Sequence, residues 1–65
     1  MNKELEDLLS RPTNPLPDVG RVAFGLSRNA SYEAGRRGDI PVIEIGRIKR
    51  VPTAWVRKKL GLEPA

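Results

Sequence analysis

The chain has neither cysteine nor histidine in its 65 residues. Without cysteine, disulfides and thiolate metal sites are excluded. Without histidine, imidazole zinc ligands and the commonest general base go as well. The remaining titratable groups are carboxylates, lysines, arginines and one tyrosine. They form no catalytic constellation, so no enzyme, cofactor or metal site is expected. No apolar run approaches the ~20 residues that cross a bilayer. Residues Met1-Asn2-Lys3-Glu4-Leu5-Glu6-Asp7 are acidic and lack a signal-peptide core, so a cytoplasmic protein without membrane partners is expected. A chain of this length forms one domain at most and buries roughly 60% of its unfolded surface, which leaves no room for a deep substrate pocket.

Charge is plentiful and uneven. The formal net charge is +4. Residues 1–17 carry Lys3 and Arg11 against Glu4, Glu6 and Asp7. Residues 18–65 carry ten Lys/Arg, seven of them arginine, against Asp18, Glu33, Asp39, Glu44 and Glu63. The arginine fork suits phosphate and guanine, which points toward nucleic acid; solubility is the plainer use of the same charge.

Asn2 to Leu9 reads as a short helix capped by Asn2, with Leu5, Leu8 and Leu9 on one face. So short a helix needs a docking surface, in its own domain or on a neighbour, or else frays. Ser10 to Pro17 holds Pro12, Pro15 and Pro17 and reads as an extended spacer. Asp18 to Phe24 reads as a helix capped by Asp18, with Val19, Val22, Ala23 and Leu26 on one stripe. Gly20 costs about 1 kcal/mol inside a helix, so either a neighbour packs closely there or the helix starts late.

Gly25-Leu26-Ser27 is the turn: a glycine C-cap, an apolar plug and a serine N-cap. Arg28 to Arg37 is the next helix, ended by Gly38. One face is small (Ala30, Ala34, Gly35), which allows close helix packing. The opposite face gathers Asn29, Tyr32, Glu33 and Arg36, flanked by Arg28 and Arg37. An amide, a phenol, a carboxylate and a guanidinium can each touch a base edge or a phosphate; an ordinary solvated face is the alternative.

Ile40 to Val51 reads as a β-hairpin turning at Gly46-Arg47. Pairing Ile45 with Ile48 sets Glu44 opposite Lys49 and Ile43 opposite Arg50. That register leaves Arg50 on the isoleucine face. Arg47 sits at the tip, with Lys49 and Arg50 on the returning strand; a basic tip can reach a minor groove, and solvated charge is the alternative. Pro52 to Leu60 is the last helix, closed by Gly61, with Trp55 on the core or the hairpin and Arg57-Lys58-Lys59 favoured by the helix dipole.

The run Gly25-Leu26-Ser27-Arg28, Tyr32, Gly38-Asp39-Ile40-Pro41, Ile45-Gly46-Arg47 and Arg50-Val51-Pro52 resembles the excisionase-type, MerR-like winged helix-turn-helix family over residues 18–60. The resemblance implies a mainly α fold with a small β-hairpin. It divides the chain into a helix and Pro-rich connector (1–17) and a winged helix-turn-helix DNA-binding domain (18–65). It also implies that the second helix enters the major groove and the wing meets the minor groove. The implied DNA-binding residues are Ser27, Arg28, Asn29, Tyr32, Glu33, Arg36, Arg37, Arg47, Lys49 and Arg50. Three features depart from the family pattern: Glu33 replaces a common basic residue, Ser31 replaces an apolar one, and Gly20-Arg21 interrupts an Ala-rich first helix.

Such proteins resemble recombination directionality factors, which bend DNA and help a tyrosine recombinase (integrase) excise a mobile element. The implied partners are double-stranded DNA, the recombinase and head-to-tail copies of the chain on DNA, with nucleoid association. Two other functions fit the residues. A sequence-specific transcriptional regulator would use the same contacts. A protein-interaction adaptor would instead use Leu5, Leu8, Leu9 and Trp55.

Overall fold

A computed structural model describes residues 3–62. Asn2, the expected cap of the first helix, lies outside them. The first helix, α1 (Lys3–Leu9), buries Leu8 and Leu9 in the core of its own chain. Arg57 donates from Nη2 to the Leu9 carbonyl at 2.8 Å, placing a cation on the negative end of α1. An exposed Arg21–Glu4 ion pair at 2.9 Å links α1 to the next helical segment.

The Pro-rich stretch expected to run extended from Ser10 to Pro17 does so only in its middle, and Leu16 and Pro17 are already helical. Its residues Thr13–Pro15 form β1, which pairs antiparallel with the returning strand of the hairpin. The sheet has three strands where a lone hairpin was expected, in the order β1-β3-β2, with β2 at Ile43–Ile45 and β3 at Ile48–Pro52. Pro15 is tolerated because β1 is an edge strand. The register Thr13↔Pro52, Asn14↔Val51 and Pro15↔Arg50 puts Asn14 on the core side beside Val51. Asn14 is fully buried, and its Nδ2 donates at 2.8 Å to both the Leu8 carbonyl and Thr53 Oγ1. One side chain thus ties the end of α1, strand β1 and the start of the last helix.

The next helical segment starts earlier than its sequence suggests. Leu16–Asp18 (α2) runs directly into a π-type stretch, Val19–Ala23. Pro15 holds the N-cap position, and Asp18 has helical dihedrals and no capping bond, which corrects its expected role. The reason lies in the apolar register: extended back one turn, the stripe of Val19 and Ala23 includes Leu16, which is 1% exposed and one of the largest core side chains.

Gly25 (φ 67°) reverses the chain, and Ser27 Oγ accepts the Ala30 amide at 3.1 Å, opening α3 (Arg28–Arg37). Gly38 (φ 87°) closes α3, and the Asp39 amide reaches back to the Ala34 carbonyl at 2.9 Å. The expected small face does pack closely. A Cβ on Gly35 would stand 2.7 Å from Leu16 Cδ2 and 3.2 Å from Val42 Cγ2.

The hairpin has the expected register, Ile43↔Arg50, Glu44↔Lys49 and Ile45↔Ile48. Gly46 has φ 63° and Arg47 does not share a positive φ, which is the requirement of a II′ turn. The last helix, α4 (Thr53–Lys59), starts directly after Pro52 and ends before Gly61 (φ 75°). Leu8, Leu9, Leu16, Val19, Ala34, Ile40, Val51 and Val56 form the core. Trp55 packs against Phe24, with ring centroids 5.8 Å apart and tilted by 60°.

Candidate nucleic-acid interface

Packing fixes which face of α3 points out. Ser31, Ala34 and Gly35 contact the core, so Arg28, Asn29, Tyr32, Glu33, Arg36 and Arg37 are all exposed. Ser27 is exposed too, but its oxygen serves as the helix cap. The Arg28 guanidinium lies 5.8 Å from the Tyr32 ring centroid, a cation–π spacing that aligns the first turn of the face. Arg36 Nη2 meets Glu33 Oε2 at 2.6 Å, and Arg37 meets Asp39 at 3.2 Å. The one acidic member of the helix face is therefore paired with a cation three residues on.

The hairpin supplies the other wall. Glu44 and Lys49 project from its core-side face and line a groove of about 540 Å³ with Tyr32, Glu33 and Arg36. Lys49 thus joins the α3 residues, and Arg47 stands exposed at the tip beyond it. Among the described residues Arg47 makes no ion pair.

Arg50 is placed differently. It is half-buried on the opposite sheet face, with Nε 3.2 Å from Thr13 Oγ1 and Nη2 3.0 Å from the Thr13 carbonyl. Its guanidinium clasps β1 and does not share the groove. This also accounts for a cation among isoleucines: its partner is on a strand that the hairpin alone does not reveal. Thr13 and Asn14, which the sequence marks only weakly, hold Arg50, the end of α1 and the start of α4. The available signal was a Thr-Asn-Pro run held extended between prolines, one step ahead of an apolar register.

A second groove of about 500 Å³ lies on the other side of α3, walled by Ala30, Phe24, Leu26, Ile40 and Trp55. Its apolar walls belong to or pack against the core, and Glu33, Arg37, Asp39 and Lys59 rim it. Among the described residues no three ligating side chains cluster as a metal site would need. Comparison with known proteins finds no matching family model, no matching curated protein and no matching solved structure. The functional reading therefore rests on the geometry of this chain and on the motif run in its sequence.

Proposed function

We propose that this chain is a winged helix-turn-helix protein that binds double-stranded DNA. In this reading α3 enters the major groove and the Gly46-Arg47 tip meets the adjoining minor groove or backbone. The observation that carries the reading is the shared groove: packing brings Glu44 and Lys49 of the hairpin beside Tyr32, Glu33 and Arg36 of α3, and Arg28, Asn29 and Arg47 are exposed on the same two elements. A ten-residue helix is about 15 Å long and fits a major groove about 12 Å wide. Arginine and lysine neutralise phosphate, while Asn29 and Arg36 offer the bidentate groups that read adenine and guanine.

The biological output proposed is that of an excisionase-type accessory factor: the bound chain shapes DNA so that a tyrosine recombinase excises an element. The motif run from Gly25 to Pro52 supports this part. An adaptor role through the leucines of α1 has less support, because Leu8 and Leu9 are buried in their own chain. For the same reason that leucine face is not open to a second copy on DNA.

The test is a titration of duplex DNA followed by fluorescence anisotropy over a salt series. With about four phosphate contacts, affinity should fall on the order of a hundredfold between ~50 and ~200 mM salt. Binding that ignores salt would overturn the DNA reading. Footprinting on attachment-site DNA, followed by an excision assay with the recombinase, tests the output. Protection confined to promoters would assign transcriptional control instead.

A further inference from the structure

The hairpin wears its apolar side outward. The register places Ile43, Ile45 and Ile48 on the sheet face opposite Glu44, Lys49 and Val51. The three isoleucines are 42%, 66% and 58% exposed. Burying isoleucine is favourable in proportion to the apolar area removed from water, so this surface leaves a large favourable term unused. Scattered exposed apolar residues are ordinary, but a contiguous set at one end of a sheet marks an interaction site.

The charge around the set selects its partner. Ile45 and Ile48 are the last cross-strand pair before the turn, and Arg47 lies between them. The remaining outward positions of the sheet are Thr13, Pro15, Arg50 and Pro52, so among the described residues no outward sheet position is a carboxylate. A surface that is apolar and cationic, with no acid, suits a polyanion with an apolar interior. Duplex DNA has this character, its phosphates outside and its stacked bases within. The tip also closes the hairpin whose other face, through Glu44 and Lys49, lines the groove proposed above to meet DNA.

Two paired strands lie about 4.8 Å apart before side chains are added, whereas the minor groove is only ~6 Å wide. A tip carrying two isoleucines therefore enters only where the groove opens. Inserting apolar side chains at a base step opens it, at a cost that is smallest where the step is easily unstacked. We infer that Ile45 and Ile48 form a wedge which enters the minor groove beside Arg47 and partly unstacks one base step, preferentially a pyrimidine–purine step. This inference rests on the DNA-binding reading.

The experiment uses the full chain and a duplex that the chain itself selects from a random-sequence pool. 2-Aminopurine is placed at successive positions across the wing-proximal minor groove. Wild type should raise its fluorescence at one step only. The double variant Ile45→Thr/Ile48→Thr keeps β-branched side chains at exposed positions and should stay folded by circular dichroism. It should bind on the order of tenfold more weakly and lose the fluorescence rise. Binding by wild type with no rise at any step, or a rise unchanged in the variant, overturns the wedge and leaves DNA binding standing. Failure to select any duplex overturns both. If sedimentation shows DNA-free wild type as a dimer and the variant as a monomer, with the rise retained, the isoleucines are a self-association surface and the wedge is refuted.

Discussion

Gly20 and Ser31 face each other where the π-type stretch crosses α3. A Cβ on Gly20 would collide with Ser31 Oγ and stand 2.5 Å from Ser31 Cβ, inside any permitted contact. Ser31 is fully buried and returns its hydroxyl to the Ser27 carbonyl at 2.8 Å. The glycine and the serine of the two helix interiors therefore meet. A glycine and a small, internally bonded serine let the helices approach closely.

Gly20→Ala should consequently destabilise the chain, although alanine is the better helix former. Overpacking of about 1–3 kcal/mol outweighs the roughly 1 kcal/mol gained in propensity. Ser31→Gly in the same chain should return part of the loss. Urea unfolding of the four members of the cycle measures this; additive effects would show that the two sites do not touch.

Asn14→Ala removes the donor shared by the Leu8 carbonyl and Thr53 Oγ1. A stability loss on the order of 1–3 kcal/mol is expected, because the freed acceptors are buried. Thr53→Val should cost less, since the Leu8 bond remains. Chemical denaturation monitored by Trp55 fluorescence reads both, and a neutral Asn14→Ala would mean that β1 does not depend on this link.

The two hairpin arginines should separate cleanly. Arg47→Ala is expected to weaken duplex binding, lower the salt slope by about one and leave the melting temperature unchanged. Arg50→Ala should instead lower stability by about 1–2 kcal/mol through loss of the Thr13 clasp. Thermal melts beside salt-controlled anisotropy distinguish them, and equal melting losses would contradict these placements.

Asn29→Ala should cost discrimination at one base, on the order of 1–3 kcal/mol, with little change on random duplex. Glu33→Gln should leave stability nearly unchanged, because its pair with Arg36 is exposed, and should strengthen binding to random DNA by removing a negative charge. Competition titrations against single-base variants test both. Equal losses on specific and random DNA for Asn29→Ala would remove it from base readout.

Much of the fold was legible because it obeys rules that act within a few residues. Ser27 caps α3, Gly38 ends it, and Gly46-Arg47 sets a register that the β-branched pattern already implied. The outward row of α3 followed in the same way from the 3.6-residue period. Other features depend on residues far apart in the chain. Asn14 bonds to Thr53 across 39 positions, and Arg50 bonds to Thr13 across 37. Neither partner is marked by local periodicity, so an edge strand looked like a spacer and a clasping arginine looked like a free one. By itself the sequence determined α3, α4, the turns, the hairpin and a basic outward face, since turn chemistry and side-chain period are local, whereas it set the start of the second helical segment too late. Only the tertiary structure decided that β1 completes the sheet, that Gly20 answers Ser31, and that Lys49 rather than Arg50 shares the α3 groove. Those outcomes depend on which surfaces meet once the chain has closed on its core.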